Sequence, residues 1–152
     1  TMSKPVRIVV HCTDEPNTAK RDKEYYRHFF FEVRGWSHYG YHIIVYQNGL
    51  WENLQPLPDP KRNGGEITDA TMANGAKGYN RDSLHIAYVG GRWGNSQRRG
   101  DTRTDEQVLT MRDLIRQLKA DFGITEVVGH RDLPGVTKTC PNFDAKSEYR
   151  DV

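Results

Sequence analysis

The strongest local signal in the sequence is HIIVYQNGLWENL, residues 42–54. Two runs rich in apolar residues flank Asn48-Gly49 within it. An Asn-Gly pair tolerates positive φ at both central positions of a tight turn, and such turns match the twist of antiparallel strands. We therefore predict a β-hairpin with strands at residues 42–46 and 50–54.

Three other stretches have the composition of strands. Residues 6–12, VRIVVHC, are rich in β-branched side chains and follow Pro5. Residues 84–89, LHIAYV, alternate as a strand does and end at Gly90, and residues 124–129 form a last short run. β-Branched and aromatic residues bounded by turn formers are typical of strands. The sequence therefore predicts strands both before and after the hairpin.

Two stretches have helical periodicity. Over residues 17–34 aromatic side chains recur at helical spacing, and Gly35 supplies a stop. Thr104 and Gln107 form a capping-box pair at the start of a second helix, whose apolar stripe runs to residue 122. Strands that alternate with helices predict an α/β fold, a single domain with a central mixed β-sheet flanked by α-helices.

Composition excludes several classes of protein. The 152 residues carry a formal net charge of +2, and the basic residues are interleaved with acids, so nucleic acid is not an expected partner. No apolar run approaches the ~20 residues that span a bilayer, so membrane insertion is not expected either. Two cysteines cannot build a disulfide framework, and any special role for them is as thiols.

The start of the chain has no secretory pattern, because one basic residue precedes only a short apolar run. Thr1 before Met2 suggests an artificial addition. We expect one domain over residues 1–152, with residues 1–5 as a disordered or artificial start. We also expect synthesis in the cytoplasm and, by default, a monomer.

Ionisable side chains lie where the predicted strands end. His11 closes the first strand, His130 follows the last one, and Cys140 comes ten residues later. Two imidazoles and a thiolate suit zinc, and three protein ligands leave a fourth position open, as catalytic zinc sites do. The alternative from spacing alone is that these are ordinary surface or core residues, since a lone buried Cys is usually a small apolar side chain.

Six short motifs occur in an order that resembles a known family. They are His11-Cys12-Thr13, Gly40-Tyr41-His42, Ala76-Lys77-Gly78-Tyr79-Asn80, Val89-Gly90-Gly91, Gly129-His130-Arg131-Asp132 and Lys138-Thr139-Cys140-Pro141. The set resembles the zinc-dependent N-acetylmuramoyl-L-alanine amidases of the phage T7 lysozyme and peptidoglycan-recognition-protein type. The resemblance runs over residues 7–144, nearly the whole chain, and implies the fold of that family.

The resemblance also implies a site. By position, His11, His130 and Cys140 would be the ligands of one Zn²⁺ per chain, and Tyr41 and Lys138 would be the two catalytic side chains. Such enzymes hydrolyse the amide between N-acetylmuramic acid and the first L-alanine of the peptidoglycan stem peptide. The Lys138 ammonium could face the oxyanion, and the Tyr41 hydroxyl could position the water or relay its proton.

The long stretch between residues 55 and 83 has three prolines, four glycines and no sustained period. The resemblance makes it the border of the substrate groove, with Lys77 and Asn80 as substrate-binding residues. Asn80 could equally cap a turn. The sequence departs from the family here, since related enzymes often have a His where this chain has Gly75, which puts substrate contacts from this loop in doubt.

Three polar residues keep alternative interpretations. His42 alternates with Tyr41 to the opposite sheet face, which favours a structural or supporting role. His85 lies inside a strand and could be a core residue or line the groove. Asp132 could orient a histidine ligand or form a turn before Leu133.

The resemblance implies a peptidoglycan or muropeptide substrate. We expect a phage or prophage endolysin that reaches the cell wall through a separate export or lysis system. The alternatives are a cytoplasmic enzyme that trims recycled muropeptides, a secreted effector, a non-catalytic peptidoglycan-binding module, or a zinc-stabilised interaction domain.

Overall fold

The computed structural model describes residues 3–152, in which a five-stranded mixed sheet forms the centre. Its strands, in chain order, are β1 (Arg7–Cys12), β3 (Ile43–Val45), β4 (Trp51–Asn53), β5 (Ser83–Tyr88) and β7 (Glu126–Gly129). The order across the sheet is β4-β3-β5-β1-β7, and only β4 runs antiparallel to its neighbour. The predicted hairpin and the predicted mixed sheet are therefore confirmed.

A small second sheet joins two segments that the sequence analysis treated as loops. Its strands are β2 (Glu15–Pro16) and β6 (Gly91–Arg92), which pair in parallel. The amide of Asn17 continues this ladder by donating to the carbonyl of Arg92 (2.7 Å). This pairing ties the segment after β1 to the segment after β5, beside the ends of both strands.

The first helix is much shorter than the predicted helix over residues 17–34. α1 spans Lys23–Arg27, and a π-helical segment continues it over His28–Val33. Asp22 is the N-cap of α1, because its side chain accepts the Tyr25 amide. The residues before Asp22 are instead hydrogen-bonded to the second sheet and to the side chain of Gln47. Tertiary hydrogen bonds have thus overridden the helical periodicity at its start.

The second helix matches its prediction. α2 spans Asp105–Phe122 with Thr104 as N-cap, and both hydrogen bonds of the predicted capping box with Gln107 are present. Gly123 ends the helix in the left-handed conformation, at φ +65°. A short helix, α3 (Ala145–Glu148), follows near the C-terminus and was not predicted.

Different elements pack on the two faces of the sheet. One face packs on α2 and α3, and its apolar side chains come from alternate positions of β1, β3, β5 and β7. The other face carries His11 and lies under α1, the π-helical segment and the long loop, with an aromatic cluster around Tyr26 and Phe30. The strands are buried on both sides, which is why residues 7–12 and 83–88 contain so few charges.

Residues 3–5 belong to the start that was expected to be disordered or artificial, and the structure shows them packed against the rest of the chain. The carbonyl of Ser3 accepts the amide of Ile67 (2.8 Å), and Pro5 is buried, so this segment is tied to the long loop. Residues 1–2 lie outside the described part of the chain. Within residues 3–152, none of the helices combines the length and the apolar character needed to cross a bilayer.

Candidate metal centre

Three potential metal ligands meet at the carboxyl edge of the sheet. His11 is near the end of β1, and His130 opens a 3₁₀ turn directly after β7. Because β1 and β7 pair in parallel with Val10 opposite Gly129, the two histidines leave neighbouring strands at the same edge. Cys140 comes from the following loop, and one ligand atom from each of the three side chains lies within 4.8 Å of the others.

Backbone hydrogen bonds hold Cys140 against β1. The Cys12 amide donates to Cys140 Sγ (3.1 Å), and the Arg131 amide donates to the Cys140 carbonyl (2.8 Å). The next residue is fixed as well, because the Tyr88 hydroxyl donates to the carbonyl of Pro141 (2.7 Å). The loop from His130 to Cys140 is therefore anchored at both ends beside the sheet.

The donor set fits zinc. It contains two imidazoles and a thiol with no carboxylate, which is a combination typical of zinc rather than of magnesium or calcium. His11 Nδ1 and Cys140 Sγ lie 4.0 Å apart. Tetrahedral zinc with N and S ligands needs neighbouring donor atoms about 3.5 Å apart. The distance between His11 Nδ1 and Cys140 Sγ is therefore close to the one that coordination requires.

The surroundings favour the neutral form of both imidazoles, which is the form that binds metals. Burial, followed by the nearby His85, holds the pKa of His11 well below its ordinary value. Burial and the Lys138 ammonium also lower the pKa of His130. A hydrogen bond with the Cys12 side chain, together with burial, raises the pKa of the Cys140 thiol, so a cation is needed to draw the proton from it.

Behind His11 lies a contact that the sequence analysis missed. His11 Nε2 and His85 Nδ1 are 2.8 Å apart, and both side chains are buried. His42, also buried, accepts the backbone amide of His85 at Nδ1 (3.0 Å), so its Nε2 carries the proton and donates to the Thr71 carbonyl (2.7 Å). His42 thus has the structural role that strand alternation indicated.

An open cavity of about 670 Å³ extends from this edge. Its wall includes all three potential ligands and both residues predicted to be catalytic, Tyr41 and Lys138. The Tyr41 ring lies beside that of His11, with centroids 5.1 Å apart, and burial raises the pKa of the phenol well above its ordinary value. Lys138 is exposed. Tyr41 therefore keeps its proton at neutral pH and is available as a hydrogen-bond donor.

The rest of the cavity wall was only partly anticipated. It includes Trp36, and the α1 region supplies Tyr25, Phe29 and Phe30, together with Arg21 and Arg34. The guanidinium of Arg34 stacks on the Trp36 ring, 4.8 Å from its centroid. Helical spacing in the sequence showed one apolar face but could not show that this face borders a cavity.

The structure does not bring Lys77 and Asn80 into the cavity wall, to which their loop contributes Asn74 and Gly75. Lys77 is exposed. Asn80 Oδ1 accepts the amides of Gly75 (3.1 Å) and Ala76 (2.8 Å), which favours the turn-capping alternative. Substrate contact by these two residues stays a prediction.

Asp132 forms a turn. Its Oδ2 accepts the amide of Gly129 (2.7 Å) and so caps the 3₁₀ turn that carries His130. This is the second of the two alternatives that the sequence left open.

Comparison with known proteins decides the family. The family model described as N-acetylmuramoyl-L-alanine amidase matches residues 1–143. The chain belongs to this amidase family. The resemblance stated from the six motifs is thereby confirmed, and with it the enzyme class. The family is typically zinc-dependent, and this amidase has a possible His-His-Cys site for the metal.

Two curated relatives of the amidase are phage proteins. The endolysin of Enterobacteria phage T3 is 27% identical over 140 residues, which cover 91% of this chain and 82% of the relative. The endolysin of Escherichia phage T7 is 26% identical over the same shares.

Solved structures share the fold of the amidase. The N-acetylmuramoyl-L-alanine amidase LysC from Clostridium intestinale has a TM-score of 0.69 at 21% identity, with 97% of this chain and 85% of that chain covered. Drosophila PGRP-LB has a TM-score of 0.70 at 16% identity, with 98% and 82% covered. The predicted α/β amidase and peptidoglycan-recognition-protein fold is therefore confirmed.

Proposed function

We propose that this protein is a zinc-dependent N-acetylmuramoyl-L-alanine amidase that acts on peptidoglycan as a phage-type endolysin. One Zn²⁺ per chain would be held by His11, His130 and Cys140. The observation that carries the proposal is the meeting of these three donors at one end of an open cavity that Tyr41 and Lys138 also line.

The reaction breaks the amide C–N bond between the lactyl group of N-acetylmuramic acid and L-alanine. Water supplies a hydroxyl group to the carbonyl carbon and a proton to the departing nitrogen. When bound, zinc supplies Lewis acidity, which polarises the carbonyl and makes water a nucleophile near neutral pH. The protein must then orient that water, stabilise the negative charge on the carbonyl oxygen and hold the substrate in the reactive geometry.

Tyr41 and Lys138 suit two of these tasks. The protonated Tyr41 hydroxyl, next to His11, donates a hydrogen bond that orients the attacking water, and its raised pKa excludes it as a base at neutral pH. Lys138 places an ammonium at the cavity wall, where it stabilises the developing oxyanion. Neutral His11 and His130 remain metal ligands and do not carry protons for the reaction.

The shape and lining of the cavity fit a glycopeptide. Aromatic side chains on the α1 side offer flat apolar surfaces for sugar rings, and Arg34 offers positive charge for the carboxylates of a stem peptide. We propose that residues 1–152 work as one amidase domain, as a monomer. The relatives from phages T3 and T7 support an endolysin. We propose that it reaches the wall through a separate lysis system.

Product analysis tests this function. Purified peptidoglycan is incubated with the protein, with and without a chelator, and the new ends are identified by mass spectrometry. We expect free stem peptides that begin with L-alanine, lost on chelation and restored by added zinc. Binding of muropeptides without such products at full zinc occupancy would overturn the proposal in favour of a binding module.

Matched variants test the ligand assignment. His130→Ala and Cys140→Ser should each lower zinc content to near zero and abolish hydrolysis. His28→Ala is the control, because that imidazole is exposed and pairs with Glu32 on the surface, away from the cavity. Full zinc content and activity in both site variants would contradict the assignment.

A further inference from the structure

We propose that His85 is a positioning residue for the metal ligand His11: its Nδ1 accepts the Nε2–H of His11 and thereby presents the unprotonated Nδ1 of His11 to the metal. This inference rests on the proposed zinc site and adds a residue that none of the six sequence motifs contains. It concerns how the ligand is held and assigns no catalytic step to His85.

The contact itself admits two arrangements of protons. His11 Nε2 and His85 Nδ1 are 2.8 Å apart, so one of these atoms donates and the other accepts. A neutral imidazole carries a proton on only one nitrogen. If His11 donates from Nε2, its Nδ1 is free of a proton, and that is the atom that faces Cys140 Sγ at 4.0 Å. If His85 donates instead, His11 is protonated at the metal side and cannot bind.

A metal selects between the two arrangements, because only an unprotonated nitrogen can be a ligand. Histidine ligands generally donate their second N–H to a fixed acceptor, which sets the tautomer and the orientation of the ring. That acceptor is usually a carboxylate or a carbonyl. Here the atom within hydrogen-bond distance of His11 Nε2 is an imidazole nitrogen.

His85 is itself held firmly enough for this role. It lies in the middle of the central strand β5, 1% exposed, and its backbone amide donates to His42 Nδ1 (3.0 Å). The His42 ring stacks on the His85 ring, with 6.0 Å between the two centroids. His85 Nε2 is buried and has no hydrogen-bond partner among the described residues, so the polar contact with His11 is the one that orients the ring.

The long loop leaves space for this imidazole at a glycine. A Cβ atom at Gly75 would lie 2.5 Å from His85 Nδ1 and 2.7 Å from the Gly40 carbonyl oxygen, both far inside contact distance. The backbone of Gly75 does not have positive φ, so the need for glycine here is one of space. Gly75 and His85 therefore depend on each other, although ten residues separate them in the chain.

The decisive comparison uses His85→Asn and His85→Leu. Asn and Leu have nearly the same shape, but only Asn offers an acceptor near the place of Nδ1. We expect His85→Leu to weaken zinc binding 10–100-fold, as loss of such partners typically does, and His85→Asn to stay within about threefold of the unaltered chain. Zinc affinity is measured by competition with a chromogenic chelator, alongside circular dichroism of the zinc-free proteins, with His28→Ala as control.

Two further measurements strengthen the test. Gly75→Ala should weaken zinc binding in the same direction, because the added methyl group displaces His85. The nitrogen-15 chemical shifts of the zinc-loaded unaltered chain should show a proton on Nε2 of His11 and none on Nδ1 of His85, a readout that needs no variant to fold.

Three outcomes would overturn the inference. They are unchanged zinc affinity in His85→Leu, equal weakening in the Asn and Leu variants, and a proton on Nδ1 of His85 in the zinc-loaded chain. Failure of the unaltered chain to bind zinc would instead overturn the proposed function. A His85 variant that loses zinc affinity but has an unchanged KM once loaded with zinc indicates that His85 positions the metal ligand and does not contact substrate.

Discussion

Tyr41 and Lys138 line the same cavity in different surroundings. Tyr41 is half-buried beside His11, whereas Lys138 is exposed in the loop that leads to Cys140. Burial raises the pKa of the phenol, so its proton stays in place, while the ammonium remains free to approach a substrate. At the scale of single residues, these surroundings support the proposed roles, which are donation of a hydrogen bond by Tyr41 and charge stabilisation by Lys138.

Removing the positive charge of Lys138 should slow turnover without loss of metal. Lys138→Met keeps most of the length of the side chain, and we expect kcat to fall about 10²–10³-fold, which is the usual effect of removing one oxyanion donor. Lys138→Arg, which keeps the charge, should lose less. Steady-state kinetics and zinc content are measured together, and equal kcat values for Met and Lys at position 138 would contradict the role.

Buried His42 should make stability depend on pH. Burial lowers its pKa to about 4, whereas the unfolded chain has an ordinary value near 6.5. As pH falls, the unfolded state therefore binds a proton at His42 before the folded state does. The contribution of His42 to the free energy of unfolding is complete above pH 6.5, and about 3 kcal/mol is lost as pH falls toward 4. Urea unfolding of zinc-free protein at several pH values should show this slope.

His42→Gln should reduce that slope but not abolish it, because the substituted side chain does not titrate in this range whereas His11 and His130 still do. His28→Ala removes an exposed histidine and serves as the matched control. Identical slopes for the unaltered chain and His42→Gln would show that another group carries the pH dependence.

At the scale of elements, helix α2 is joined to the sheet by a polar side chain. Gln107 is fully buried, and its Nε2 donates to the carbonyls of Val45 (3.2 Å) and Val89 (3.1 Å), just where β3 and β5 end. Its Oε1 also accepts the amide of the N-cap residue Thr104. One glutamine thus caps the helix and fixes its start against two strands.

Gln107→Leu should destabilise the fold by about 2 kcal/mol. The Val45 carbonyl keeps the backbone amide of Val89 as a donor, but both carbonyls lose the side-chain donor, and the Thr104 amide loses its acceptor. Gln117→Leu on the exposed face of the same helix is the control, with an expected change within about 0.5 kcal/mol. Equal midpoints of urea unfolding for the two variants would contradict this account.

At the scale of the whole molecule, contacts of the C-terminal part of the chain hold the three proposed metal ligands together. Asn142 donates to the carbonyls of Gly91 (2.9 Å) and Gly100 (3.2 Å), beyond the end of β5. Arg103 lies over the Phe143 ring, 3.4 Å from its centroid, and pairs with Glu148. The segment after Cys140 is therefore fastened to the sheet edge, which keeps the thiol beside the two histidines.

Zinc should stabilise the whole fold, because its three ligands come from segments far apart in the chain. At a free zinc concentration 100 times the Kd, binding to the native state alone adds about 2.7 kcal/mol. For a chain of this length that raises Tm by roughly 5–10 °C over the chelated protein. Differential scanning calorimetry should show the shift for the unaltered chain and for His28→Ala, but not for His130→Ala. A zinc-independent Tm in the unaltered chain would contradict metal binding at this site.

Local signals in the sequence determined several elements directly. Asn48-Gly49 specified the hairpin, and Thr104 with Gln107 specified the start of α2, because turn and cap preferences act over a few residues. The ends of β1 and β7 were also correct, so the sequence placed His11 and His130 at strand ends. The order of the motifs then identified the family and supported Cys140 as the third candidate zinc ligand.

Other features were decided only by the tertiary structure. The pairing of β2 with β6 shortened the predicted first helix, and the register of β1 with β5 placed His85 against His11. Gly75 became necessary because folding brought the long loop onto that imidazole. Such contacts join residues ten to seventy-six positions apart, and no local preference encodes them, since they exist only once the strands have paired.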